Sequence, residues 1–229
     1  MELISGDSAS SDVFTLVAVC TANVCRSPVM ATVLSHAMEP YAGLAGSGVY
    51  VTSAGVTAAT GAPIDARTAE ALSQAGFALP ETVATQLERD QVASADLILT
   101  ASRRHRATIV RMMPQARDRT FTIREFARYC ELLSSDSIEG VAAPDRLRSV
   151  LSQVQEMRGF DLPSRPHDDD VADPIAGSRR VHRKAVRTIV AAAESILAVV
   201  DARAHDLTAG TSSSRTGWDT LLELARAVR

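Results

Sequence analysis

Residues 13–28, VFTLVAVCTANVCRSP, join a short apolar run to a loop that ends in arginine, serine and proline. The first eight residues are apolar or β-branched, which is typical of a buried strand. Ser27 and Pro28 suit the N-cap and the first position of a helix. The stretch therefore predicts a strand, a loop beginning at Cys20, and a helix through VMATVLSHAM.

Strand and helix patterns continue to alternate beyond this stretch. Three more short segments are predicted to be strands, VYVTSAG, ADLILT and RTFTI. DARTAEALSQAG is predicted to be a helix capped by Asp65 and stopped by Gly76, and SRRHRATIVRMMP a helix ended by Pro114. Alternating strands and helices favour a parallel sheet covered on both faces. We expect an α/β three-layer sandwich with a four-stranded parallel sheet and the Cys20 loop between its first strand and first helix.

The second half of the chain has a less regular pattern. APDRLRSVLSQVQEMRG is predicted to be a helix, FDLPSRPHDDDVADP a long loop, and SRRVHRKAVRTIVAAAESILAVVDARA a closing helix. We predict a disordered tail over residues 1–12, one domain over 13–204 with an insert at about 134–165, and a linker with an amphipathic helix over 205–229. The helix at 217–229 has one apolar face, so it is expected to dock on its own domain or on a partner.

Composition excludes several classes of protein. The chain has 229 residues, a net charge of −3, 46% hydrophobic and 22% charged residues, which is typical of a soluble enzyme and gives no basic stripe for nucleic acid. The longest apolar stretch contains Arg187 and Glu194, so no membrane span is expected. Three cysteines and no recognisable signal peptide favour the reducing cytoplasm.

The loop after the first strand has the features of an oxyanion site. The first amides of a helix lack intrahelical acceptors, and the helix dipole adds positive charge there. Arg26 adds a planar fork of donors that matches two phosphate oxygens. These groups surround the sulfur of Cys20 and should favour its thiolate, while Ser27 could donate a hydrogen bond to it. The expected phosphate-binding residues are Thr21, Ala22, Asn23, Val24, Cys25, Arg26 and Ser27. The alternative is an inert core cysteine, which a lone cysteine after a strand usually is.

These residues resemble the low-molecular-weight protein tyrosine phosphatases, together with the arsenate reductases that share their fold. The resemblance extends over residues 13–203 and rests on a cysteine, five residues, and then Arg-Ser. It implies that Cys20 is the nucleophile and that Arg26 clamps the phosphate. It further implies that Asn23 and Ser53 support the loop through hydrogen bonds, and that Cys25 is a second loop cysteine able to form a reversible disulfide with Cys20.

The same resemblance places the general acid in an Asp-Pro pair, which Asp173 and Pro174 match. A departing alkoxide or phenoxide leaves phosphorus slowly unless it receives a proton. A carboxyl beside a bound phosphate keeps its proton more readily, and as a carboxylate it can then activate water. Residues 168–170, three further aspartates in the same segment, are expected to form a solvated acidic loop.

The chain departs from the family pattern at three places. Ala22 stands where the family usually has glycine. Ile175 and Ala176 follow the Asp-Pro pair, where the family commonly has aromatic residues that grip a phosphotyrosine ring. The segment LTASRRH lacks the aspartate with which many members support the loop arginine.

Three functions are therefore considered. The first is a phosphatase acting on a phosphorylated protein, chiefly phosphotyrosine, or on a small phosphomonoester, without metal or cofactor. The second is arsenate reduction by Cys20 with an external thiol, because Cys130 is the only cysteine downstream of the loop. The third is a non-catalytic phosphate-binding module that docks through its tail. The histidines, including His105 and His182, have no companion ligand at metal-site spacing, so no metal is expected.

Overall fold

Four parallel strands form the centre of the protein, seen here in a computed structural model that describes residues 13–38, 48–160 and 163–200. The strands are β1 (Val13–Cys20), β2 (Gly48–Gly55), β3 (Leu97–Thr100) and β4 (Thr120–Thr122), in the order β2-β1-β3-β4. β1 lies between β2 and β3, and in its register Cys20 is opposite Gly55 and Val19 is opposite Thr100. The predicted parallel sheet is confirmed, and the Cys20 loop leaves the carboxyl end of a central strand.

Helices cover both faces of this sheet. They are α1 (Arg26–Met38), α2 (Ala66–Gln74), α3 (Arg89–Ser94), α4 (Arg103–Met112), α5 (Ile123–Cys130), α6 (Ala143–Met157) and α7 (Arg179–Val200), with 3-10 turns at Pro114–Arg119, Ser135–Ser137 and Pro166–Asp169. Phe14 and Leu16 of β1 face the larger core with α1, α5, α6 and α7, whereas Val17 and Val19 pack with residues of α3 and α4 on the other face. Successive side chains of β1 therefore point to opposite faces, as in a strand buried on both sides. The sheet is the middle layer, with a layer of helices on each face.

Several helix boundaries follow the sequence signals closely. The Asp65 side chain accepts hydrogen bonds from the amides of Arg67 and Thr68, as expected of an N-cap, and Gly76 follows the helix at φ +87°. The α4 helix ends at Met112, just before Pro114. The predicted start of the first helix was wrong. Ser27 is the second residue of α1 and not its N-cap, because its hydroxyl is bonded to the Cys20 sulfur instead of a helix amide.

The predicted fourth strand is shorter than expected. It ends at Thr122, because the Thr122 hydroxyl accepts from the Glu125 amide while the Glu125 carboxylate accepts from the Thr122 amide. This reciprocal capping box starts α5 at Ile123, within the segment that had been predicted as strand.

The segment predicted as an insert contributes to the main core. Leu147, Val150 and Val154 of α6 are fully buried in the same cluster as β1. Arg146 is buried and donates to the carbonyl oxygen of Ile138, just before α6, and to those of Val199 and Val200 at the end of α7. The α6 helix is therefore held into the domain by both apolar packing and a buried cation.

Three predictions concern parts of the chain outside the described residues, namely the tail at 1–12, the linker after 204 and the helix at 217–229. Among the helices that the structure describes, none combines the length and the apolar character needed to cross a membrane.

Candidate active site

The loop between β1 and α1 turns its carbonyl oxygens outward. The carbonyls of Thr21, Ala22 and Val24 accept hydrogen bonds from backbone amides of the segment that follows β2, at 3.0, 3.0 and 2.8 Å. By contrast, the amides of residues 21–25 have no acceptor within the described ranges. A loop with outward carbonyls and unpaired amides is the arrangement that an oxyanion completes.

Asn23 holds the loop in its unusual backbone shape. It is the only non-glycine residue in the described ranges with a positive φ, 58°. Its amide nitrogen donates to the hydroxyls of Ser27 and Ser53, both at 2.9 Å, and its amide oxygen accepts from the Thr85 amide at 2.8 Å. Both ends of the Asn23 side chain are thus bonded, which offsets the cost of a left-handed residue. Ala22 has no positive φ, so its methyl group fits where the family usually has glycine.

The Cys20 sulfur lies under this loop and is almost fully buried. Its Sγ is 2.9 Å from the Ser27 Oγ, which also lies 3.2 Å from the Ala54 carbonyl oxygen. Ser27 has one proton to give, so it can serve only one of these two acceptors at a time. When the sulfur is a thiolate, it becomes the better acceptor and Ser27 can turn to it.

Arg26 reaches across the loop and is buried. Its Nη1 donates to the Val171 carbonyl at 3.2 Å, and its Nη2 donates to Asp173 at 2.7 Å and to the Thr21 hydroxyl at 3.3 Å. Its Nε is buried and has no hydrogen-bond partner among the described residues. The guanidinium therefore presents an unused N–H on the edge that a phosphate oxygen would occupy.

Asp173 is brought to the loop by the segment before α7. The amide of Val171 donates to the Ala101 carbonyl at 2.8 Å, which ties this segment to the end of β3. The Asp173 carboxylate pairs with Arg26, although 147 positions separate them in the chain, and its side chain is 47% exposed. The structure thus brings together the three predicted catalytic residues, Cys20, Arg26 and Asp173, at one end of the sheet.

The expectation of a solvated acidic loop over 168–170 was wrong for two of its residues. Asp169 is buried and pairs with Arg128 at 3.2 Å, and burial raises its pKa above the usual value. Asp170 accepts from the Arg103 amide at 2.7 Å, at the start of α4. Both carboxylates fasten the loop that carries Asp173, so the acidic run serves packing on this side of the sheet.

Cys25, the second loop cysteine, is buried and belongs to a polar cluster. Its thiol has Thr68 as a hydrogen-bond partner, and burial raises its pKa to about 11, so it stays protonated at neutral pH. Cys25, Asp65 and His182 place possible metal-ligand atoms within 4.8 Å of one another. The Thr68 hydroxyl lies among them, 2.8 Å from the His182 Nδ1 and 3.3 Å from the Asp65 Oδ1. Thr68 is bonded to the His182 Nδ1 and to the Asp65 Oδ1, whereas the His182 Nε2 is buried without a hydrogen-bond partner among the described residues. We assign no metal to the cluster.

Three residues of the site were missed by sequence reasoning: Gly55, Thr85 and His105. Gly55 was treated only as the end of a strand, and Thr85 gave no signal at all. His105 was set aside for want of a metal-ligand companion, yet it is buried and bonded to the Thr21 hydroxyl at 2.9 Å. The contacts of all three depend on neighbouring strands and loops that are distant in the chain.

Gly55 supports a first testable prediction about the loop. A Cβ at this position would lie 2.5 Å from the Thr21 carbonyl oxygen and 3.0 Å from the Asn23 amide nitrogen. We expect Gly55→Ala to push the loop out of shape and to weaken binding of inorganic phosphate, measured by calorimetry, by at least about tenfold, since a small misplacement of donors costs much of their effect. Gly61→Ala is the control, because its Cβ meets nothing within 4 Å and only its φ of +82° is strained. Equal phosphate affinity in Gly55→Ala and the native chain would contradict the prediction.

Comparisons with known proteins identify relatives of this chain. The family model described as low molecular weight phosphotyrosine protein phosphatase matches residues 15–137, a range that contains the loop but not Asp173. A protein-arginine-phosphatase of Geobacillus stearothermophilus is 31% identical over 143 residues, which cover 60% of this chain and 91% of that protein. A probable low molecular weight protein-tyrosine-phosphatase EpsP of Ralstonia solanacearum is 32% identical, covering 50% of this chain and 74% of that protein.

Solved structures show the same fold. The arginine phosphatase YwlE from Geobacillus stearothermophilus aligns with a TM-score of 0.58 and 24% identity, covering 87% of this chain and 99% of that one. Wzb of Vibrio vulnificus, solved in complex with benzylphosphonate, aligns with a TM-score of 0.56 and 20% identity, covering 81% of this chain and 97% of that one.

Proposed function

Because the chain belongs to the low molecular weight phosphotyrosine protein phosphatase family, we propose that it is a cysteine-dependent protein phosphatase that works through a phosphocysteine on Cys20. One observation supports this most directly. The sulfur of Cys20 lies beneath a loop whose amides at 21–25, and whose Arg26 Nε, lack protein acceptors within the described ranges. These donors match the three equatorial oxygens of a phosphoryl group in transfer.

The proposed first step is attack of the Cys20 thiolate on phosphorus. A sulfur–phosphorus bond forms while the bond from phosphorus to the leaving oxygen breaks, and the leaving oxygen takes a proton from Asp173. Arg26 and the loop amides hold the charge on the phosphoryl oxygens throughout. As the phosphate takes over the Arg26 donors, Asp173 is released from its ion pair, takes up a proton from solvent and is then able to donate it to the leaving group.

The proposed second step is hydrolysis of the phosphocysteine. Asp173, now a carboxylate, accepts a proton from a water molecule whose oxygen attacks phosphorus. The sulfur–phosphorus bond breaks with its electrons on sulfur, and Ser27 donates its hydroxyl hydrogen bond to the returning thiolate. Inorganic phosphate leaves and both residues regain their starting protonation.

Two classes of phosphorylated side chain suit this site. Phosphotyrosine is the substrate named for the family, and EpsP is named as a tyrosine phosphatase. Phosphoarginine is the second candidate, because two relatives, 31% and 35% identical, are named protein-arginine-phosphatases. The segments at the rim of the site, residues 56–65 and 171–178, contain no aromatic residue to grip a tyrosine ring. This composition favours a substrate that does not depend on ring stacking.

The other two functions rest on less. Arsenate reduction within the chain would need a downstream thiol that can reach Cys20, but Cys130 is fully buried in the core. An external thiol would be required. The docking function rests on a helix predicted from the sequence at 217–229, a range outside the described residues.

The proposal is tested by assaying the full chain for phosphate release in the presence of a chelator. We expect hydrolysis of 4-nitrophenyl phosphate that the chelator does not reduce, because no step uses a metal. Matched peptides carrying phosphotyrosine, phosphoarginine or phosphoserine then rank the substrate class, with phosphoserine expected to be the slowest. No phosphate release from any of these compounds, or arsenite production from arsenate with an added thiol as the sole activity, would overturn the proposal.

A further inference from the structure

His105 is the buried polar residue of the site that the proposed reaction has not used. It lies in the first turn of α4, where its Nδ1 is 2.8 Å from the Ser102 Oγ and its Nε2 is 2.9 Å from the Thr21 Oγ1. Ser102 is the N-cap of α4, and its hydroxyl also accepts from the His105 amide. The imidazole is therefore fixed at one end to a helix start and reaches the phosphate loop with the other.

A count of donors and acceptors shows that a neutral imidazole fits this chain of bonds. The Arg26 Nη2 can only donate, so the Thr21 oxygen accepts from it. A hydroxyl has one proton and two lone pairs, so Thr21 can either donate to the His105 Nε2 or accept a second bond from it. The Ser102 hydroxyl has the same choice toward Nδ1, so the bonds from Arg26 through Thr21 and His105 to Ser102 form with either neutral tautomer.

The charge state agrees with that count. Burial, assisted by the Arg26 guanidinium, lowers the pKa of His105 to about 4, against the opposing effect of Asp173 and Asp170. The imidazole is accordingly neutral at physiological pH. A neutral imidazole acting through a hydroxyl leaves the full charge of Arg26 for the phosphate.

We propose that His105 is a positioning residue that holds the Thr21 hydroxyl, and through it the Arg26 guanidinium, while Asp173 is engaged with the leaving group. The proposal rests on the proposed phosphatase function. In the structure, Nη2 of Arg26 has two side-chain partners, Asp173 and Thr21. Once Asp173 turns to the leaving oxygen, Thr21 is the side chain that still holds this nitrogen. The Thr21 contact to Arg26 is therefore needed more during the chemical step than during substrate binding.

Two variants test the chain of bonds, Thr21→Val and His105→Leu. Each is expected to lower kcat for an aryl phosphate by about 10- to 50-fold while changing KM less than about threefold, because the misplaced guanidinium is felt mainly in the transition state. The kcat of the double variant is expected to be no more than about twofold below that of the less active single variant, since both changes break the same hydrogen-bonded connection. Thr21 is exposed, so Thr21→Val keeps the test available even if His105→Leu folds poorly.

Thr108→Val is the matched control, because the half-buried Thr108 hydroxyl bonds, among the described residues, only to Arg104 and Arg111 of its own helix. It is expected to keep native kcat and KM. Thr21→Val with a kcat within twofold of the native value would overturn the proposal. A double variant whose loss equals the product of the two single losses would also overturn it.

Nitrogen NMR of the histidine side chains gives a readout that needs no turnover. We expect His105 to be neutral at pH 7, with a proton on one ring nitrogen only, and its Nε2 resonance to shift in Thr21→Val. A doubly protonated ring at pH 7, or no shift in the variant, would overturn the hydrogen-bond chain. If the native protein hydrolyses no phosphate compound, the proposed function fails, and the NMR result still decides whether His105 and Thr21 are coupled.

Discussion

Cys20→Ser is expected to abolish turnover of every phosphate compound that the native chain hydrolyses, by at least about 10⁴-fold in kcat. The physical reason is that a serine hydroxyl at this position is a far weaker nucleophile at neutral pH than a thiolate, and no general base lies beside Cys20 to activate it among its described partners. The loop donors do not depend on the sulfur, so the variant is expected to bind inorganic phosphate with nearly native affinity. Loss of turnover with retained phosphate binding would show that Cys20 is needed for the chemical step and not for holding the phosphate.

The matched control is Cys130→Ser, another buried cysteine exchanged for the same residue. Cys130 lies in the apolar core, where burial raises the pKa of its thiol strongly, and it takes no part in the site. We expect Cys130→Ser to lose stability to heat but to keep native kcat per folded molecule. Phosphate release and calorimetric phosphate binding measure the two effects. Substantial turnover in Cys20→Ser would remove the phosphocysteine from the mechanism.

The second large effect is expected in Asp173→Asn, and it should depend on the leaving group. Protonation of the leaving oxygen by a placed acid contributes about 10²–10⁴-fold in typical enzymes. A 4-nitrophenolate departs with little help, whereas an unsubstituted phenolate needs the proton. We therefore expect kcat to fall by about 10-fold for 4-nitrophenyl phosphate and by about 10³-fold for phenyl phosphate.

The same variant should not raise KM. The Asp173 carboxylate lies 2.7 Å from Arg26 and competes with a phosphate for that cation, so its removal frees the clamp. The control is Asp168→Asn in the same segment, since Asp168 pairs with Arg165 and His167 and not with the loop. A series of substituted phenyl phosphates measures the dependence. Equal losses across the series would show that Asp173 does not act as the acid.

The chemistry-bearing loop was readable from the sequence because all its parts are local. A strand pattern, a cysteine, an arginine and a helix start stand within residues 13–28, and neighbouring residues in a chain remain neighbours in the fold. The cap at Asp65 was predicted for the same reason, since a cap bonds to amides two and three residues away. The error at Ser27 has a tertiary cause: the hydroxyl is taken by Cys20 and Ala54 instead of a helix amide.

The acidic run shows the opposite case. Asp169 and Asp170 resemble a solvated loop in sequence, because their partners Arg128 and Arg103 come from helices far away in the chain. The burial of Asp169 and the hydrogen bond of Asp170 to the start of α4 are decided by how α4 and α5 pack against the segment before α7. Composition alone does not distinguish an exposed carboxylate from one that fastens a loop.

By itself, the sequence predicted the four strands, most of the helices and the parallel sheet, and it singled out Cys20 and Arg26 as the residues proposed to attack and to clamp a phosphate. These depend on local patterns, and the physics of strands, caps and helix ends acts over a few residues. Only the tertiary structure decided that Asp173 meets Arg26, that Gly55 leaves room for the loop and that His105 reaches Thr21. Those contacts join residues that are about 30 to nearly 150 positions apart, and they exist because the carboxyl ends of parallel strands meet at one edge of the sheet.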